Sequence, residues 1–424
     1  MRKKLGLAAL GVASMLALAA CSSGANSGSS STPEAANIRV WLNGTDTPQA
    51  ARDYLKTTFE SQNPGSTLTI EEQSWTGLVD KLTTSLSGSD SPDVVEVGNT
   101  QAAAFTSAGA FEDLTDKYQD LGGDDLLPGF VTAGTYDGKF YAAPYYSGAR
   151  LVFYKKDLMA ASGLTVPTTL DQYISNGVTL AAANPGVSGI YFPGQDWYNA
   201  LPYIWENGGE IATDDNGTWK AGFESAGSIA GLKEVQKVMT TASVAPKDGN
   251  ETDPQVPFCA GTVAQLSAPS WVKGSILAPA TATAPGCPDQ EANLGVFALP
   301  GKNGGAASVF AGGSNIAIAA KSAHPELAYS ALKIMLSDGY QTILGNNGLV
   351  PAKKSLASTL GTDDVAKATA AAAANAKLTP ASPKWADVEA AGILQDFFVK
   401  IAQGGDVPTL AADVDGKINA ILNG

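Results

Sequence analysis

The sequence predicts an α/β protein built from mostly parallel sheets flanked by helices, and three observations carry that prediction. Strand-type and helix-type segments alternate from Ile38 to Val97. The apolar fraction of 44% against a charged fraction of 16% supports buried cores and excludes a disordered chain. No period of 20–50 residues recurs, which excludes a solenoid. A length of 424 residues corresponds to two or three domains at roughly 100–200 residues each.

The elements follow in order. Ile38-Arg39-Val40-Trp41-Leu42 alternates and is rich in β-formers, so it reads as the first strand. Asn43 to Asp46 make a turn, and Ala51, Tyr54, Leu55 and Phe59 then fall at helical spacing between Pro48 and Gln62. Asn63-Pro64-Gly65 stops that helix. Leu68 to Ile70 is a second strand, Leu78 to Leu86 a second helix and Asp93 to Val97 a third strand. Ligands of such sheets gather at the carboxyl ends of strands, which singles out Asn43 to Asp46 and Gly98 to Gln101. Tyr136 to Lys139 reads as a hairpin turn and Ala149 to Tyr154 as an apolar strand interrupted by one charge, Arg150. A second alternating region runs from Leu158 to Leu299 and includes a helix from Ser225 to Met239. Asn315 to Ala319 is a strand, Pro325 to Leu336 a helix, and Trp385 to Leu422 two or three amphipathic helices.

The amino terminus is an address. Arg2, Lys3 and Lys4 precede an uncharged stretch from Leu5 to Ala20, too short for a comfortable membrane span and typical of a secretory signal. Leu18-Ala19-Ala20-Cys21 resembles the bacterial lipobox, which implies cleavage before Cys21 and acylation of its thiol. Residues 21–36 are a Ser/Gly-rich tether that cannot bury enough apolar surface to order itself. Removing residues 1–20 leaves 24 basic residues against 41 acidic, a formal charge of −17. An acidic chain is a poor partner for nucleic acid, and none is expected. The single His and three Cys exclude most zinc sites and most imidazole-dependent catalysis. With Cys21 assigned to the anchor, Cys259 and Cys287 form an even pair in an oxidising space, and a disulfide is expected; two buried free thiols are the alternative.

From Ile38 onward the chain resembles the carbohydrate-binding proteins of ATP-driven (ABC) importers, the class that includes maltose-binding protein. The stretches that carry the resemblance are Ile38 to Trp41, Ser91-Pro92-Asp93-Val94-Val95, Ala108 to Leu114, Tyr136 to Pro144, and Phe153 to Leu158. They continue with Trp205-Glu206-Asn207-Gly208-Gly209, Gly312-Gly313, Ala328 to Leu336, and Val350-Pro351. Their shared order and spacing is the signal. The resemblance implies a two-lobed periplasmic-binding-protein fold of type II, with lobe one at 37–146 and 304–356 and lobe two at 150–300 and 360–424. Three crossings would fall near Tyr146–Ala149, Pro300–Gly304 and Leu356–Thr362.

A sugar offers an apolar ring face and a rim of hydroxyls, so its site needs aromatic plates and polar rim groups. Burying a hydroxyl without a partner costs roughly 1–3 kcal/mol, so the rim decides specificity. By the resemblance, the plates are Trp271 after Ala268-Pro269-Ser270, Trp385 ahead of a carboxyl-terminal helix, and Tyr198 or its neighbour Trp197 in the segment that opens with Asp196. Tyr145 and Tyr146, at the first crossing, are further candidates. The rim candidates are Asn43, Asp46, Asn99 and Gln101, with backbone from Gly312, Gly313 and Ser314. Trp41, Trp75, Trp205 and Trp219 read as structural, with Trp75 within reach of the cleft rim. Maltose-binding protein has carboxylates at the positions of Gly148 and Thr100, and this chain has neither, so its sugar or its reading of the sugar differs.

Enzyme motifs are weak. Ser270-Trp271-Val272-Lys273 matches a Ser-x-x-Lys pattern without the companion Lys-Thr-Gly or Ser-Asp-Asn. Asp124-Asp125 and Asp214-Asp215 read as solvated turns, and His324 as a residue at a helix start. No P-loop, dinucleotide fingerprint, metal cluster or cofactor motif is found. The expectation is therefore a lipid-anchored, monomeric, extracytoplasmic receptor that captures a neutral di- or oligosaccharide and passes it to an ABC permease. A secreted carbohydrate-active hydrolase, or the same fold carrying a polyol phosphate, are the alternatives.

Overall fold

The computed structural model describes residues 35–424; the signal segment, Cys21 and all but the end of the tether lie outside the described residues. Eight strands form one sheet: β1 Asn37–Asn43, β2 Thr67–Gln73, β3 Val94–Gly98, β4 Ala142–Lys155, β5 Gln265–Pro269, β6 Leu294–Ala298, β7 Ala311–Ile318 and β8 Val350–Pro351. The path across it is β6-β4-β7-β3-β1-β2, with β5 and β8 also pairing with β4. The strand–helix–strand reading holds for β1, β2 and β3, which pair in parallel. β4 to β7 extend the sheet antiparallel, because β4 is shared between its two halves.

Alternation along the first strands dictates helices on both faces. Ile38, Val40 and Leu42 enter one core with Leu55 and Phe59 of α1, Gln49–Gln62. Trp41, Val95 and Val97 enter the opposite face with Leu78, Leu82 and Leu86 of α2, Leu78–Ser87. The i, i+4, i+8 spacing puts those leucines on one stripe. Each fully buried Leu or Phe contributes roughly 1.5–3 kcal/mol. α3, Asn99–Ser107, starts directly after β3 with no intervening loop, so its first turn stands at the carboxyl edge of the sheet.

A second, larger core gathers the other half of the chain, with Leu151 to Phe153 of β4 and the helices Leu170–Ala183, Trp197–Glu206, Ala226–Thr241 and Ile393–Ala402. The architecture is thus two-lobed. Along β4 the change of core falls between Tyr146 and Ala149. The second change falls between Phe310 and Ile316, later than the expected Pro300–Gly304. Pro300 pairs with Ala306 in a turn that stays on the larger core, where Leu299, Ala307, Val309 and Phe310 are packed. Cys259 and Cys287 are joined by a disulfide, their Cα atoms 5.4 Å apart. No helix among the described residues is long and apolar enough to cross a membrane.

Candidate ligand-binding cavity

A cavity of about 600 Å³ opens where the two cores meet, a size within the range of small-molecule sites. Of the residues singled out from the sequence, Asp46, Asn99, Gln101, Tyr146, Tyr198 and Trp271 line it, together with Gly312, Gly313 and Ser314. Trp271 packs against both cores. Gly148 and Gly312 pair across β4 and β7, and the indole lies on that bare backbone. A Cβ at Gly148 would stand 2.0 Å from Trp271 Cζ3. The space that a side chain at position 148 would occupy is therefore filled here by the Trp271 indole. The next residue, Gly313, has φ +142°, and a Cβ there would meet the Tyr146 carbonyl oxygen at 2.3 Å.

Tyr198 stacks on Phe310 with centroids 4.6 Å apart at 27°. The Arg150 guanidinium carbon lies 5.4 Å from the centre of the Tyr198 ring, and Arg150 donates to both carboxylate oxygens of Glu251 at 2.7 Å. On the other side, Trp75 Nε1 donates to Asp46 Oδ2 at 2.9 Å and its indole spans Gly44 and Gly98. Beneath this rim, buried Glu96 accepts from Tyr146 at 3.0 Å, Ser314 at 2.6 Å and the Asn43 backbone N–H at 2.8 Å. Burial pushes the Glu96 carboxyl up to about 7. Burial likewise raises Asp46.

Five candidates lie outside the lining. Tyr145 is the extra residue where the pairing of β4 with β7 slips between Pro144 and Tyr146, its ring lies 5.0 Å from that of Tyr146, and its hydroxyl bonds Thr47 and Tyr340 in the first core. Asn43 is fully buried and ties β1 to β3 through the Glu96 carbonyl. Asp196 caps the helix Trp197–Glu206, accepting from the Asn199 N–H and side-chain amide. Trp197 is sandwiched among Tyr198, Phe310 and Trp385. Trp385 is fully buried, its Nε1 donating to Glu389 at 2.9 Å. Tyr145, Trp197 and Asn43 are turned into the cores by partners distant in sequence, while Asp196 and Trp385 are held by residues three and four positions further along the chain.

The lining also includes Trp75, Arg150, Glu251, Asp253 and Phe310. Arg150 had a sequence signal, a charge inside an apolar strand. Glu251 had none, because Gly249 to Pro254 has the composition of any polar turn. Three carboxylates (Asp46, Glu251, Asp253) face one cation in the lining, an electrostatic balance that disfavours a phosphorylated ligand. Ser270 Oγ donates to the Gly348 carbonyl while Lys273 pairs with Asp363, so the Ser-x-x-Lys pattern does not assemble a nucleophile and base.

Comparison with known proteins bears on the same region. The family profile described as bacterial extracellular solute-binding protein matches residues 43–342. The diacetylchitobiose binding protein DasA of Streptomyces coelicolor is 33% identical over 435 aligned residues, covering 100% of this chain and 99% of that protein. The GacH receptor of Streptomyces glaucescens, solved unliganded and with acarbose, superposes with a TM-score of 0.78 at 21% identity, covering 92% of this chain and 99% of that one. The sugar-binding protein MalE of Xanthomonas citri gives a TM-score of 0.78 at 23% identity, covering 91% and 97%.

Proposed function

The chain belongs to the bacterial extracellular solute-binding proteins, and from that premise we propose that it captures a neutral di- or oligosaccharide between its lobes and delivers it to an ABC permease. The observation that carries this reading is the cavity between the two cores, with the Trp271 plate lying across bare backbone and polar groups converging around it. Apolar sugar faces stack on such plates, and the amide, hydroxyl and carboxylate groups of the rim take the ring hydroxyls. Lobe one is assigned to about 37–146 and 311–356, and lobe two to about 150–310 and 360–424. Binding favours the closed state because only there do both lobes touch the ligand. The protein acts as a monomer without chemistry on the sugar, held at the outer face of the cytoplasmic membrane through acylated Cys21.

Thermal-shift titration against a panel of oligosaccharides tests this, since a ligand that binds only the folded state raises its apparent stability. The Streptomyces coelicolor relative puts N-acetylated disaccharides first in the panel. A ligand in excess should raise the melting temperature by several degrees. A panel without any shift, or sugar fragments released on incubation, would overturn the reading.

A further inference from the structure

We propose that Arg150 reads an acyl oxygen of the ligand and so selects N-acylated sugars over their plain-hydroxyl counterparts, an inference that rests on the sugar-capture reading above. Arg150 is 4% exposed, sits in an apolar strand opposite Pro269 of β5, and lines the cavity. Burying a guanidinium is costly unless its donors are met. A structural Arg–carboxylate pair usually sets two nitrogens against two oxygens. Here both oxygens of Glu251 converge on the single nitrogen Nη2. Nε and Nη1 are buried with no hydrogen-bond partner among the described residues.

An acceptor from the ligand completes this arrangement. Its chemistry is narrowed by the surroundings. Glu251, Asp253 and Asp46 in the lining, and buried Asp196 beside the pair, disfavour an anion. A hydroxyl would bring a proton that needs an acceptor of its own, whereas a carbonyl oxygen offers two lone pairs and no proton. The flat aromatic wall of Tyr198 and Phe310 next to the guanidinium suits the planar amide and methyl of an acyl group.

The test compares N,N′-diacetylchitobiose with cellobiose, the same β-linked disaccharide frame bearing hydroxyls in place of acetamido groups, by calorimetry on the mature protein, Arg150→Lys and Arg150→Met. The unmodified protein should prefer the acetylated sugar at least tenfold. Both variants should lose at least tenfold more affinity for the acetylated sugar than for cellobiose, so the preference collapses. Equal losses for the two sugars, or an unaltered ratio, would overturn the proposal while leaving sugar capture intact, as would a wild-type protein that binds cellobiose equally well. Binding of no sugar at all would instead overturn the functional reading, and this proposal with it. Saturation-transfer NMR on the unmodified protein removes dependence on the variants' folding. Transfer should be strongest at the acetyl methyl protons; silent methyls beside saturated ring protons would refute the assignment.

Discussion

Thr100 Oγ1 donates a 2.9 Å hydrogen bond to Glu389, a residue 289 positions away. Thr100 lies in the first turn of α3, whose Ala102 and Phe105 pack in the first lobe, while Glu389 sits on the helix Trp385–Ala390, whose Trp385 and Val388 pack in the second. Trp385 Nε1 at 2.9 Å and Gln101 Nε2 at 3.4 Å complete the coordination of the same carboxylate. The bond therefore clasps the lobes beside the cavity. Replacing Glu389 by Ala leaves three donors unmet, at a cost of about 1–3 kcal/mol to the closed form. Affinity should fall by a similar factor for every ligand, since closure and not recognition is affected. Calorimetry gives the affinities, and small-angle scattering should show a larger radius for the liganded variant; an unchanged radius and affinity would exclude the clasp.

The seat of Trp271 is as consequential as the indole itself. Trp271→Ala should weaken sugar binding by about 2 kcal/mol or more, the scale of an aromatic hot spot. Gly148→Ala, with its Cβ forced to 2.0 Å from the ring, should lift the indole and weaken binding comparably while the indole is still present. Overpacking should also lower stability by about 1–3 kcal/mol. Tryptophan fluorescence and ligand titration on the two variants check this, and wild-type affinity in Gly148→Ala would show that the seat is dispensable.

The Cys259–Cys287 bridge closes a loop with a sequence separation of 28, for which loop-closure entropy gives about 3–4 kcal/mol of stabilisation. Urea unfolding with and without reductant, and of the double Cys→Ser variant, should reveal a loss of that order. A midpoint indifferent to reduction would mean that the bridge adds nothing to the core around it.

Glu96 makes stability depend on pH. Its folded value of about 7 lies above the ordinary 4.5, so the native state binds the proton more tightly than the unfolded chain. Its contribution is full below pH 4.5 and is lost as pH rises toward 7, on the order of 1–3 kcal/mol across that window. Glu96→Gln keeps an acceptor for the Asn43 N–H and should flatten this part of the profile. Urea midpoints at intervals from pH 4.5 to 8 would show it; an identical slope in the variant would assign the dependence elsewhere.

The sequence exposed the α/β order and the first lobe's strands because those signals are local. Ile38 to Leu42 alternates, and Leu78, Leu82 and Leu86 recur every four residues. It also led to Trp271, whose preceding small residues end a strand. It could not separate Tyr198 from Trp197, because which of two adjacent rings faces the cavity is decided by Phe310 and Trp385 arriving from far along the chain. Trp385 and Asp196 lie outside the cavity lining, where a buried carboxylate and a helix cap claim their polar atoms. Arg150 was visible as an anomaly, while its partner Glu251 sits in a turn whose composition says nothing of an ion pair.

β4 belongs to both lobes. Its first half pairs with β7 and β8, and its second half with β5 and β6, within fourteen consecutive residues. Neither half of the molecule has a complete sheet without it. Unfolding either lobe strips one end of this strand of its neighbours and exposes the edge of the other. The two lobes are thereby coupled in folding as well as in ligand capture, and any motion that opens the cleft must be absorbed by bending around β4 while its hydrogen bonds stay intact.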